Sequence, residues 1–206
     1  MTSTQQTPTE SLTPVWREVL ATSHRALADA VAGTDAEHLN AITPCSEWTV
    51  AQVIQHAAAD QRAYAAALGV GPGPAYDPFA PSGTLDDPAA LIAAALEESS
   101  TAWATVTDET ESVPTPLPHG ELPTPTAAVM CALDAAVHAW DITTATGRPA
   151  ALTDGDSIHF LTAATGLVEP LRQWGAFAAI VPGRESDSPA HRLLRYLGRN
   201  PEWTAA

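Results

Sequence analysis

Asp134-Ala-Ala-Val-His138-Ala-Trp-Asp141 is the stretch on which the reading of this chain turns. It lies in a helical segment opened by Thr124-Pro125-Thr126, where a proline in the first turn is tolerated because its missing N–H would have no partner there. At about 100° per residue, Asp134, His138 and Asp141 fall within about 60° of one another, on the side that also carries Met130 and Val137. Polar groups on an apolar stripe cannot all face water, so they need partners inside the protein. A carboxylate and an imidazole four residues apart can hold one cation from consecutive turns, with a third ligand supplied by another helix. His56, close behind Val53 and Ile54 on a second helical segment, is the donor this predicts. The same spacing fits an internal ion pair between Asp134 and a protonated His138, and spacing alone leaves both readings open. Asp141, one turn beyond His138, either accepts the second ring N–H of His138 or His56 or caps a neighbouring loop.

The surrounding sequence supplies four such helices. Thr13-Pro14 reads as a cap with proline in the first turn, and Trp16, Val19, Leu20, Leu27 and Val31 then repeat at helical spacing until Gly33. Thr49 caps a second helix striped by Val50, Val53, Ile54, Ala57, Tyr64 and Leu68 and stopped by Gly69. Asp87-Pro88 repeats the cap-plus-proline signal ahead of a third, and the fourth runs from Pro125 to Thr146 with Gly147 after it. Gly69 to Asp87 is rich in Pro and Gly without a helical period, which predicts a long surface loop. Prolines on both sides of His119-Gly120 predict a turn or short edge hairpin. Ser157 to Arg172 and Pro189 to Leu197 predict two further helices. The expected fold is all-α: a four-helix bundle with a long loop and hairpin inserted before its fourth helix, and a C-terminal helical extension. A single domain is expected over 13–206, bundle to 147 and extension from 148, after a polar segment 1–12 expected to be disordered.

With 206 residues, 45% of them apolar, the chain can bury one sizeable core. No apolar run approaches the roughly 20 residues of a membrane span. Against 24 acidic residues stand 9 basic ones, a formal charge of −15, which argues against nucleic acid or an anionic membrane as partner because phosphate contacts need Lys and Arg. Met1 to Thr13 lacks the basic start and apolar stretch of a signal peptide, so a cytoplasmic protein is expected. Cys45 and Cys131 form no CxxC pair and no disulfide framework. Cys45 precedes the second helix, where a helix N-terminus lowers a thiol's pKa, yet a small buried residue beside Trp48 is the preferred reading. Cys131 reads as core, and His119 as a turn residue able to overhang the mouth of the bundle. There is no G-x-S-x-G, no Gly-rich phosphate loop and no H-E-x-x-H.

Three separated stretches carry a family likeness: Thr43-Pro44-Cys45-x-x-Trp48-Thr-Val50 leading to His56, Val137-His138-Ala-Trp140-Asp141-Ile142-x-x-Ala145-Thr146-Gly147, and Leu197-Gly198-Arg199-Asn200-Pro201-x-Trp203. In this order they resemble an actinobacterial group of metal-binding proteins in the DinB-like superfamily, to which the N-terminal domain of mycothiol-dependent maleylpyruvate isomerase belongs. The resemblance implies a bundle holding one divalent metal, zinc in the isomerase, through a histidine on the second helix and a carboxylate-x-x-x-His pair on the fourth. Here those positions are His56, Asp134 and His138, with aspartate where the isomerase has glutamate. Three protein ligands leave room for water, a thiolate or a substrate oxygen.

The expectation is therefore a divalent-metal-dependent enzyme, a thiol-assisted isomerase or transferase of a small electrophilic substrate, with zinc and mycothiol as the implied cofactors and a homodimer left open. The alternatives are a metal- or ligand-sequestering bundle without turnover, and a structural bundle in which Asp134 and His138 only pair with each other. Arg62 and Arg148 are the basic residues the sequence puts nearest the site, and each reads more readily as a solvated surface charge.

Overall fold

The structure, a computed structural model, describes residues 7–45, 48–149 and 151–205. In chain order it has α1 (Pro8–Leu12), α2 (Trp16–Ala32), α3 (Val50–Ala67), α4 (Pro88–Ala104), strands β1 (Ser112–Pro114) and β2 (Glu121–Pro123), α5 (Thr124–Ala145), α6 (Asp154–Ala164), α7 (Val168–Arg172) and α8 (Pro189–Tyr196). The four bundle helices are α2 to α5: α2 packs on α4 and α5, and α3 packs on α4 and α5. At α3 the Thr49 and Gln52 side chains form a capping box, and at α4 the Asp87 carboxylate accepts the Ala90 N–H, so both start signals act as the sequence implied. Val113 and Leu122 face each other across the β1–β2 hairpin and are both buried, which seats the hairpin on the bundle.

Three expectations are corrected. The polar N-terminus is helical over Pro8–Leu12, because the Thr7 hydroxyl accepts the Glu10 N–H while the Glu10 carboxylate accepts the Thr7 N–H, and Leu12 is fully buried. Residues 1–6 of the segment expected to be disordered lie outside the described residues. Thr13-Pro14 then falls in the turn leaving α1, and α2 starts at Trp16 without a side-chain cap. The helix expected over Ser157 to Arg172 is two pieces, α6 and α7, because Gly166 takes φ +87° between them, a conformation that side chains with a Cβ resist.

Every residue of α5 except Asp134 and Thr144 is buried. A helix enclosed this way must be apolar nearly all round, and its alanines let the neighbouring helices approach closely. A buried polar seam joins all four bundle helices. Gln61 of α3 accepts at Oε1 from His24 Nε2–H of α2 at 2.9 Å, from the Ser99 hydroxyl of α4 at 3.0 Å and from the Cys131 thiol of α5 at 3.3 Å, and its amide donates to the Cys131 carbonyl at 3.2 Å. Sliding any one helix would strand a buried polar atom, at about 1–3 kcal/mol each. Burial lowers the pKa of His24 to about 4, against the hydrogen bond to Gln61, and pushes that of the Cys131 thiol up to about 12. Both groups are neutral at pH 7, so the seam is structural.

Since His24 titrates near 4 in the folded chain and near 6.5 when free, the unfolded chain takes up the proton first as pH falls. Stability therefore drops as pH falls below about 6.5 and levels off near 4. Between pH 7 and pH 5 the loss is about 2 kcal/mol. His24→Gln, which cannot be protonated, should show a urea midpoint less sensitive to pH over that interval by a corresponding amount.

Candidate metal centre

The packing of α3 on α5 brings His56, Asp134 and His138 together, with one possible ligand atom from each lying within 4.8 Å of the others. His138 Nε2 is 3.3 Å and His56 Nε2 3.9 Å from the same oxygen, Asp134 Oδ1, and the two rings stand edge to face with centroids 4.8 Å apart. Two ligands each about 2 Å from a tetrahedral ion stand roughly 3.4 Å apart, so the spacing suits a shared cation. The second nitrogen of each ring is engaged: His138 Nδ1–H donates to Asp141 Oδ2 at 3.0 Å and His56 Nδ1–H to the Pro78 carbonyl at 2.9 Å. These bonds turn Nε2 of both rings toward Asp134, where it can take a proton or a metal. Asp134 Oδ2 is buried and outside hydrogen-bond geometry with any donor, while the Asp60 carboxyl lies close enough to share a proton with Asp134; a cation would relieve the remaining cost of burying the carboxylate.

The electrostatics agree with that geometry. Burial disfavours charge on His138, but Asp134 and then Asp141 outweigh it and raise its pKa to about 9. Burial, then the neighbouring His138, lowers that of His56 to about 4. Burial would raise Asp134, yet His138 and His56 hold it below the usual carboxylate range. A dication beside Asp134 would take the place of the proton this field draws onto His138.

Two further charged groups surround the three. Asp60, one turn beyond His56, places Oδ2 3.7 Å from His56 Nε2. Its side chain is 27% exposed, on the wall of a cavity. Burial first and the Asp134 charge second push its pKa well above the ordinary value, favouring the protonated form. On the other side, Arg199 grips Asp141, with Nε 2.9 Å from Oδ1 and Nη2 2.8 Å from Oδ2. Burial opposes ionisation of Asp141, but Arg199 and His138 bring its pKa below the usual carboxylate range.

The three side chains open on a cavity of about 480 Å³. Tyr64, Met130 and Val137 of the bundle line it, together with Phe79 of the loop after α3, Leu117 of the hairpin turn, and Leu171, Trp174 and Phe177 of the C-terminal extension. Gly198 fixes part of this wall. Its φ is +85°, and a Cβ there would stand 2.7 Å from the carbonyl oxygen of Ala178, so only glycine lets the end of α8 receive the loop that carries Trp174 and Phe177. The next residue, Arg199, turns into the site.

Asp141 thus takes the first of its two expected roles, as acceptor of the His138 Nδ1–H. Pro116, Leu117 and Pro118 reach the cavity wall from the hairpin turn, whereas His119 does not line it. Cys45 is half-buried rather than fully buried, and like Trp48 it packs against the core around Val50, Val53, Ile54 and Ile142. Arg62 is ion-paired with Glu98, and Arg148 donates to the carbonyls of Asp29 and Ala30, so neither serves the site. Asp60 and Arg199 are the groups that reading the sequence missed. His56-x-x-x-Asp60 repeats, in reverse order, the spacing of Asp134 and His138 and was there to be found. Arg199 had no such signal beyond the need of a buried Asp141 for a cation. Two other acidic and histidine clusters differ: Asp35, Glu37 and His38 sit on or beside a surface turn, and between Asp187 and Glu202 the Arg195 guanidinium already takes the place of a cation.

A four-helix bundle with a hairpin before its last helix and a histidine–carboxylate cluster at the meeting of α3 and α5 defines the DinB-like class. Within it, the chain belongs to the family of the mycothiol maleylpyruvate isomerase N-terminal domain, whose family model matches residues 20–143. That span takes in His56, Asp60, Asp134, His138 and Asp141 and leaves out Arg199 and Trp174. Two relatives, the uncharacterized proteins MT0763 and Rv0738 of Mycobacterium tuberculosis, from strains CDC 1551 / Oshkosh and ATCC 25618 / H37Rv, are each 32% identical over 178 residues, covering 84% of this chain and 92% of theirs. No solved structure matches the chain. Among the described residues, no helix is long and apolar enough to cross a membrane.

Asp141→Asn would leave Arg199 buried without an anion and weaken the acceptor that orients His138. Breaking a buried ion pair from one side costs about 3–5 kcal/mol, and loss of an outer carboxylate lowers metal affinity on the order of 10–100-fold. Urea denaturation and metal titration of this variant read the two effects separately.

Proposed function

We propose that the protein is a divalent-metal-dependent enzyme, an isomerase or transferase that brings a thiol or water nucleophile to a small electrophilic substrate. The observation that carries this reading is the convergence of two imidazole Nε2 atoms on one Asp134 oxygen, 3.3 and 3.9 Å away, at the edge of a 480 Å³ cavity. In this reading His56, Asp134 and His138 are the ligands and zinc is the metal to try first. A closed structural zinc site uses four protein ligands, whereas three beside a cavity suit a centre that also takes an exogenous one. A divalent cation held there supplies Lewis acidity and lowers the pKa of a bound thiol or water.

The chain's own residues do the remainder. The Pro78 carbonyl and the Asp141 carboxylate hold the two imidazoles in orientation. Asp60 stands on the cavity wall beside His56, placed to exchange a proton with whatever the cavity holds. The apolar wall of Met130, Val137, Leu171 and Phe177 offers the substrate's apolar part a surface beside the centre. Mycothiol is the thiol the family description names, but its sugar-bearing body finds no cluster of donors among the described lining residues.

Protein purified from zinc-supplemented cells is expected to carry stoichiometric metal by elemental analysis. His56→Ala and Asp134→Ala should lose it, with affinity falling by at least the ~10–100-fold typical of losing a mere outer partner. Loaded protein offered mycothiol and a panel of electrophiles should give thiol-dependent turnover or a stable adduct. Full metal content without either outcome would make the chain a sequestering bundle, and failure to bind zinc, manganese or iron at all would remove the enzymatic reading.

A further inference from the structure

Trp174 and Phe79 are 73% and 61% exposed, among the largest exposures of any bulky apolar side chain described. Single exposed apolar residues are ordinary. These two come from loops far apart in sequence and line the same cavity, and the Phe79 ring lies 5.7 Å from that of His56. They therefore stand where the cavity meets solvent, one of them beside a proposed metal ligand at a tilt of 55°. Further in, the wall continues through Leu117, Leu171 and Phe177.

The charges are distributed the opposite way. Among the described lining residues, the ionisable groups are His56, Asp60, Asp134, His138 and Arg199, with the hydroxyl of Tyr64 beside them. Arg199 is the one guanidinium, 8% exposed and committed to Asp141 through both Nε and Nη2. A ligand in this cavity meets charged partners at one end only. A second charge, on the part of the ligand enclosed by Leu117, Leu171 and Phe177 between the polar end and the mouth, would be desolvated with nothing to pair with. The volume of 480 Å³ lies within the roughly 300–1,000 Å³ of small-molecule sites.

We infer that the cavity binds a small uncharged aromatic compound, its one polar group at the His56–Asp134–His138 centre and its rings held by Phe79 and Trp174, and that it rejects the same skeleton bearing a second, anionic group away from that centre. This rests on the reading of the centre given above as the place where the ligand's polar group sits. It narrows the electrophile to an apolar aromatic one and excludes dicarboxylates.

N-phenylnaphthylamine and anilinonaphthalene sulfonate share a ring skeleton and differ by one sulfonate, and both fluoresce in apolar surroundings. With zinc-loaded protein, the uncharged amine is expected to bind at least about tenfold more tightly than the sulfonate, as an unpaired desolvated charge demands. Phe79→Ala and Trp174→Ala should each weaken the amine by about five- to tenfold, the scale of one aromatic contact. Trp174→Phe should recover most of the loss. Both side chains are largely exposed, so circular dichroism and urea midpoints of the variants should match the parent. A sulfonate bound as tightly as the amine, no binding of the amine, or alanine variants that bind like the parent would each overturn the inference. Zinc content measured on the same samples keeps the two readings apart. Full zinc without discrimination refutes the aromatic assignment alone, and discrimination without zinc refutes the metal centre alone.

Discussion

The structure depends on carrying Asp134, His138 and Asp141 through the middle of a bundle on a helix with almost no wet face. A buried carboxylate or imidazole must be paired, and each of these pairings recruits another part of the chain. Asp141 requires Arg199, which lies beyond α8, so the C-terminal extension is bound to the bundle through a charge in its centre. His138 is then held between Asp141 and Asp134, and Asp134 in turn faces His56 on α3. The order of these contacts leads from the most enclosed group outward to the cavity.

Buried ion pairs are weak sources of net stability, since desolvation offsets most of their attraction. What Asp141–Arg199 contributes is definition: a guanidinium engaged by two of its nitrogens fixes both the carboxylate plane and the ring that hydrogen-bonds to it. The Gln61 seam works the same way deeper in the bundle, where alanine-rich interfaces would otherwise offer several similar registers. Three donors from three other helices meet one amide oxygen, and that condition is satisfied in one arrangement. Small side chains bring the helices close, and polar contacts then select which of the close arrangements is adopted.

Most of the fold was legible because helix boundaries are written in local chemistry. Thr49 with Gln52, and Asp87 with Pro88, are start signals whose side-chain hydrogen bonds the structure contains. The failures were local competitions. Thr13-Pro14 resembles Thr7-Pro8 as a cap, but Glu10 stands three residues after Thr7 and completes a capping box, whereas Trp16 stands three after Thr13. Gly166 is masked by apolar residues that continue at helical spacing on both sides of it. At the site, Asp134 and His138 announced themselves by sharing an apolar stripe, and His56 by lying on the facing helix. Asp60 carries an equivalent spacing, four residues after His56. Arg199, Phe79 and Trp174 reach the site from loops and from the extension, where no periodicity points inward, so their roles depend on tertiary placement alone.

Gly198 and Arg199 are consecutive, and each holds something different. The first receives the backbone of the loop bearing Trp174, and the second clamps the carboxylate behind His138. One short turn of chain therefore anchors both the roof of the pocket and the support of an imidazole at its base. Related proteins are not at liberty to remodel the roof for a bulkier guest while leaving that imidazole undisturbed; shape preference and ring alignment must be inherited as a pair.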